Sequence, residues 1–216
     1  MRIEAKHVFI DGPAGRIDTI IEAPAQPRGI ALIAHPHPLF GGTNTNKVAQ
    51  TLAKTMTTLG YVALRPNFRG VGQSEGVHDD GVGETGDLQV VLDWAQQHYA
   101  ASAALLPVVL CGFSFGAYVS AKLAMRLAAA GTPVLRMVLV GTASGFVEGS
   151  RQYDTVAVAP DTIVVHGSAD ETVPLANVLR WAEPMDLPVV VVAGADHFFH
   201  RRLTLLKDII LRAWRH

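Results

Sequence analysis

A single cysteine, Cys111, is all the thiol chemistry this chain possesses. No intramolecular disulfide is therefore possible, and nothing demands an oxidising compartment. Charge is scarce as well: Asp, Glu, Lys and Arg make up 17% of the residues, with 18 basic side chains against 19 acidic ones. Without a basic excess, and with only Arg201 and Arg202 forming a local basic pair, the chain lacks the electrostatic footprint of a nucleic-acid binder. Long hydrophobic runs are missing too. Stretches such as 105–110 and 137–140 fall far short of the roughly 20 residues that span a bilayer, so no membrane span is expected. Near the start, Arg2, Glu4 and Lys6 interrupt the apolar stretch that an export signal requires, and the expectation is a cytoplasmic protein. Repeats, low-complexity tracts and charge-rich linkers are likewise lacking. The 216 residues read as one domain, 1–216, with a continuous core.

What the chain has is apolar material, 49% of its residues, arranged in two patterns. Alternating segments at 3–10 and 16–22 flank Asp11-Gly12-Pro13-Ala14-Gly15, a composition that reverses the chain and predicts an antiparallel hairpin. After Pro24 and Pro27 the pattern becomes short apolar runs bounded by Gly and Pro, at 29–34, 61–64, 107–110, 134–140, 162–165 and 189–192. Such runs suit strands buried on both faces of a parallel sheet. Between them, helical periodicity covers 47–59, 87–98, 115–129, 175–182 and 201–214. The alternation predicts an α/β fold: a mostly parallel central sheet with helices on both faces and the hairpin at its N-terminal edge. One irregular stretch, 69–86, is long enough to suggest a functional loop.

The strongest chemical signal is Gly112-Phe113-Ser114-Phe115-Gly116, set between an apolar strand and an alanine-rich helix. A serine at a sharp strand-to-helix turn needs small neighbours because its backbone is strained and crowded. The helix that follows also points its positive end at the serine. Ser114 is thus the candidate nucleophile, but a hydroxyl needs a base to take its proton and an acid to orient that base.

Both partners belong on loops that leave the carboxyl ends of later strands. Asp170 lies in such a loop after 162–165; its rivals are Asp161, at the wrong end of that strand, and Glu171, whose side chain points elsewhere. His197 lies in the loop after 189–192. Among the other histidines, His200 is the serious competitor, whereas His166 reads as a packing or loop-orienting residue.

Acyl transfer also needs two N–H donors for the developing oxyanion. Phe115, just after the nucleophile, supplies one. The loop His35-Pro36-His37-Pro38-Leu39-Phe40-Gly41-Gly42 supplies the other, from His37, Leu39 or Phe40, with Leu39 preferred. His35 and His37 together with Asp79 and Asp80 raise the idea of a metal, but the prolines account for the motif as a rigid loop, and no metal or organic cofactor is expected. Gly81-Val82-Gly83-Glu84-Thr85-Gly86 has dinucleotide-fingerprint spacing, yet it follows no buried strand and has no acid about 20 positions later. It reads as a turn that starts the helix carrying Asp87.

With these residues assembled, the chain resembles the α/β-hydrolase superfamily over nearly its whole length, and within it the small dienelactone-hydrolase-like serine esterases. His35-Pro36-His37-Pro38, Gly41-Gly42, Asn46-Lys47, Arg65-Pro66-Asn67-Phe68-Arg69-Gly70, Gly72 and Ser74 carry that likeness. It implies an α/β-hydrolase fold, a triad on Ser114, Asp170 and His197, and carboxylester hydrolysis. Dienelactone hydrolases proper have cysteine at the position of Ser114, so lactone specificity does not transfer. Only residues 142–161 separate the strand ending near Gly141 from the next, which is too short for a helical lid domain. Phe40, Phe146 and Phe198 are then expected to line an open apolar cleft for a small or short-chain ester, with the protein a monomer or homodimer. The same triad would serve a thioesterase or peptidase. A hydrolase fold that merely binds a small molecule is the alternative of another class.

Overall fold

The computed structural model describes residues 3–100, 105–147 and 151–214. Strands β1 (Ala5–Gly12) and β2 (Gly15–Glu22) form the expected antiparallel hairpin. Gly15 closes the turn at φ +112°, a region costly for any residue with a Cβ. The chain then alternates: β3 (Ile30–Ala34), α1 (Lys47–Thr58), β4 (Val62–Pro66), α2 (Val82–Tyr99), β5 (Val108–Phe113), α3 (Phe115–Ala129) and β6 (Arg136–Val140). A short antiparallel pair, β7 (Gly145–Val147) and β8 (Arg151–Tyr153), precedes β9 (Ile163–Gly167), α4 (Leu175–Ala182), β10 (Val189–Val192) and α5 (Leu203–Ala213).

Eight strands make one sheet in the order β1-β2-β4-β3-β5-β6-β9-β10. From β4 to β10 every pairing is parallel, and β2 joins β4 antiparallel. The sheet grows from β3 toward β4 and then turns back past β3 to β5. The loops after β3 and β5 consequently diverge, opening a crevice at the carboxyl ends of those strands.

Side-chain alternation divides the core between the two faces. In β3, Ile30, Leu32 and Ala34 join the cluster that includes Leu88 and Val91 of α2 and Val119 and Leu123 of α3. Ala31 and Ile33 join the opposite cluster, with Val48, Leu52 and Met56 of α1 and Leu206 and Ile210 of α5. Each such Leu, Ile or Val contributes about 1.5–3 kcal/mol on leaving water, so the strands at the sheet centre are the least free to move. Ile210 and Trp214 are buried in that second cluster, as expected of the apolar stripe of α5.

Two expectations are corrected. Strand β10 is not buried on both faces: it ends the sheet, and Val190 and Val191 are exposed. Helix α2 begins at Val82 rather than 87, which places Asp87 inside the helix, where its carboxylate takes two N–H donors from Arg69, both at 2.8 Å. Two glycines of the stretch that opens the helix have separate steric reasons. Gly81 holds φ +89°, and a Cβ on Gly83 would lie 1.9 Å from the Arg69 guanidinium. Gly83 thus makes room for the arginine, while a Cβ on Gly81 would lie 2.6 Å from the Tyr118 ring.

Candidate active site

Ser114 sits between β5 and α3 with φ 56° and ψ −119°. Its glycine neighbours are sterically compelled. A Cβ on Gly116 would lie 2.2 Å from the Ala34 carbonyl oxygen, and one on Gly112 would lie 2.4 Å from the Ala117 Cα. The elbow is thereby pressed against the end of β3, while Ser114 N–H still donates to Val140 O at 2.9 Å. The Ser114 carbonyl accepts from Ala117 at 2.9 Å, and Phe115 N–H, first in the helix, is left without an intrahelical partner.

The loops after β9 and β10 are tied to each other. Ser168 N–H donates to Val192 O and Ala169 N–H to Ala195 O, each at 3.0 Å, and Gly194 N–H donates to Ser168 Oγ at 2.8 Å. One oxygen of Asp170 accepts the Thr172 and Val173 N–H groups at 3.0 and 2.8 Å. That fixes the carboxylate plane and turns its other oxygen to His197, whose Nδ1 lies 2.7 Å away. An ionised carboxylate only accepts, so Nδ1 carries the proton and Nε2 keeps its lone pair. The Asp170 side chain is fully buried. His166 supports it: its Nε2 lies 3.0 Å from Val173 O and 3.5 Å from the same Asp170 oxygen, and burial holds its pKa below the usual histidine value. His197 is pinned by the Phe113 ring, 4.8 Å between centroids, and by Gly141, where a Cβ would lie 3.3 Å from the imidazole. His200, the competitor, is exposed and turned to Asp196, with Nδ1 2.7 Å from Oδ2.

Ser114 and His197 line one small cleft of about 140 Å³ together with Pro36, His37, Phe40, Gly41, Gly42, Asn46, Arg151, Thr172 and Phe198. Of the expected pocket residues, Phe40 and Phe198 are therefore at the cleft. Phe146 is not among the lining residues: it is exposed on β7, with its carbonyl bound to Asn177. Leu39 is exposed, and its N–H donates to His37 Nδ1 at 3.2 Å; the Phe40 and Gly42 N–H groups both donate to His37 O. Leu39 and Phe40 are thus engaged within the loop. Among the described residues, His37 N–H has no such acceptor.

His35 is a brace. Its Nδ1 lies 2.7 Å from Pro36 O, and its Nε2 accepts the Phe68 N–H at 2.9 Å. Both ring nitrogens are spent on the backbone, which leaves no lone pair for a metal. Burial pushes the His35 pKa down to about 3, and burial with the neighbouring His78 and Arg151 pushes His37 down to about 4. Both rings are neutral near pH 7. A buried network carries the rest of this wall: Asn67 Oδ1 accepts Asn44 N–H at 2.8 Å, Asn67 Nδ2 donates to Asp18 at 3.0 Å, and Ser74 Oγ accepts Asp18 N–H at 2.9 Å. Arg65 Nη1 donates to Asn44 O at 2.6 Å. The motif from Arg65 to Ser74 therefore anchors the loop opposite the serine.

Arg151 and Thr172 were not singled out from sequence. Arg151 belongs to a three-residue strand too short to show periodicity, and its place at the cleft depends on a long-range contact, the guanidinium carbon 4.0 Å from the centre of the Phe40 ring.

Comparison with known proteins agrees with this architecture. The family model described as X-Pro dipeptidyl-peptidase (S15 family) matches residues 11–157. An uncharacterized protein of Rickettsia prowazekii (strain Madrid E) is 36% identical over 203 residues, covering 89% of this chain and 81% of that one. An α/β serine hydrolase homologue from Coxiella burnetii superposes with a TM-score of 0.84 at 38% identity over 100% of both chains. A serine hydrolase without a lid from Xanthomonas campestris gives 0.84 at 30% identity, over 99% of this chain and 94% of that one. The sheet order, the absence of a lid among the described residues and these likenesses converge: the chain belongs to the family that the S15 model describes, and with it to the lidless serine hydrolases of the α/β-hydrolase superfamily.

Proposed function

We propose that the chain is a carboxylesterase, working as one domain over residues 1–216 in the cytoplasm on small or short-chain esters. Ser114 is the nucleophile, His197 the base and Asp170 its orienting acid. The observation that carries the reading is His197 Nδ1 at 2.7 Å from a buried carboxylate, on an imidazole that shares its cleft with a serine held at positive φ. As Ser114 Oγ bonds to the ester carbonyl carbon, its proton passes to His197 Nε2. The imidazolium gives that proton to the departing alkoxide as the C–O bond breaks. Water then adds to the acyl-enzyme, its proton taken by His197, and the carboxylic acid leaves with the Ser114 hydroxyl restored. The negative charge on the carbonyl oxygen is received by Phe115 N–H and by a second donor from the loop after β3. His37 replaces Leu39 in that role, because the Leu39 N–H is engaged by the His37 ring.

A cleft of about 140 Å³ is smaller than the roughly 300–1,000 Å³ of drug-sized ligand sites, which favours a compact acyl group. The test is intact-mass detection of a fluorophosphonate adduct, followed by ester turnover. Wild type should gain one phosphonyl group, and Ser114→Ala none. Ester turnover by Ser114→Ala should fall by about four to six orders of magnitude with its melting temperature unchanged. Full turnover in that variant would overturn the assignment.

The family description favours one further reading, cleavage of an N-terminal dipeptide. Such a substrate presents an α-ammonium group, which needs an acidic partner. Among the described residues lining this cleft there is no Asp or Glu to receive that group, which favours the ester. A panel containing an X-Pro arylamide separates the two.

A further inference from the structure

We propose that Asn46 and Thr172 read an uncharged hydroxyl on the substrate, so that the preferred ester carries one a few bonds from its scissile carbonyl; this rests on the esterase reading above. In the sheet, β3 and β9 lie on opposite sides of β5. Asn46 follows β3, Thr172 follows β9 and Ser114 follows β5, and all three residues line the same cleft. The serine is thus flanked by one polar side chain on each bank.

The Asn46 amide is spent at one end only. Its Oδ1 accepts the Val48 and Ala49 N–H groups at 2.9 and 3.3 Å, which settles which end is oxygen. The Asn46 backbone N–H is held too, by Thr43 O at 3.0 Å. The NH2 group has no acceptor among the described residues. Thr172 is spent differently: its backbone N–H holds Asp170 at 3.0 Å, while its hydroxyl has no partner among the described residues. The amide end left on Asn46 can only donate, and the Thr172 hydroxyl can donate or accept. A substrate hydroxyl matches both, accepting from Asn46 and donating to Thr172. Both residues are half-buried, so a methyl group in the same place would strip them of water and return no hydrogen bond. An ionised group is met less well: among the described residues the lining includes no Asp or Glu, and Arg151 is already engaged by the Phe40 ring and the Tyr153 hydroxyl. With about 140 Å³ available, hydrolysis would release a small hydroxyacid or a diol, according to which side of the ester bears the hydroxyl.

Two matched pairs test this at constant pH: methyl β-hydroxybutyrate, as each enantiomer, against methyl isovalerate, and glycol monoacetate against propyl acetate. In each pair a hydroxyl takes the place of a methyl group, and the pairs put it on the acyl or the alcohol side. For wild type, kcat/KM should favour the hydroxyl member in at least one pair. Asn46→Ser, which keeps a capping oxygen for α1, should lower that hydroxyl-to-methyl ratio by roughly three- to tenfold, the range of one hydrogen bond between uncharged groups. Thr172→Val should lower it by a similar factor, and Thr172→Ser should restore most of it, with thermal melts confirming that each variant is folded. A purely structural role would move both members of a pair together and leave the ratio alone. Methyl members favoured by wild type in both pairs, or a ratio that either Asn46→Ser or Thr172→Val leaves unmoved, would overturn the proposal and leave the esterase reading standing. Failure of wild type to form the phosphonyl adduct or to cleave any of these esters would overturn both.

Discussion

The two halves of the cleft are built to different standards. On the reacting side, Ser114, Asp170 and His197 are all buried, and each is held from several directions by glycine contacts, backbone donors or neighbouring rings. On the rim, Phe40 and Phe198 are exposed and held mainly by contacts between rings. Close packing tolerates few alternatives, so the buried half is over-determined, whereas exposed loop residues vary at little cost to the fold. Damage to the first half should therefore appear in kcat, and damage to the second in substrate preference.

The largest break in that contrast is Asp170→Asn. The amide keeps the shape but presents a donor where His197 needs an acceptor, so kcat should fall about 10⁴-fold. Ester kinetics alongside a thermal melt check it, and a change confined to KM would remove Asp170 from the buried set. Next comes acid sensitivity of the braced wall. His35 has its pKa lowered from 6.5 to about 3 by burial, so the unfolded chain binds the extra proton between those values and stability falls as pH falls through that window. Between about pH 8 and pH 5 this one group should remove roughly 2 kcal/mol. Urea melts across that range measure it, and His35→Gln should flatten the slope. The smallest effect belongs to the rim: Phe198→Ala should raise KM for short esters by roughly three- to tenfold, with kcat moving less. Equal losses in both would mean that Phe198 also positions His197, whose ring it meets at 5.1 Å.

Legibility in the sequence follows the same division. Gly112 and Gly116 mark the elbow because backbone atoms occupy the space their side chains would fill. Asp170 and His197 are legible because each follows an apolar run whose carboxyl end must face the crevice. That the Leu39 N–H is engaged could not be read from the loop, since nothing in its composition says that His37 accepts three N–H groups from its own turn. Phe146 stands outside the cleft lining, and its sequence could not say so, because aromatic type and loop membership do not fix direction. The early start of α2 was hidden because its first two turns, with Glu84 and Asp87 buried, pair inward with Arg69 and backbone N–H groups and so break the amphipathic pattern. Arg151 needed a contact that only the folded chain makes.

Cys111 lies in β5, three residues before Ser114, wholly buried, with its thiol pKa pushed up by that burial. An alkylating reagent in solution finds no thiolate until the centre of the sheet opens. The protein thus contains a built-in clock: the rate at which its lone thiol is capped reads how often β5 comes apart, and any substitution that loosens the elbow will be timed by a sulfur atom that takes no part in the proposed chemistry.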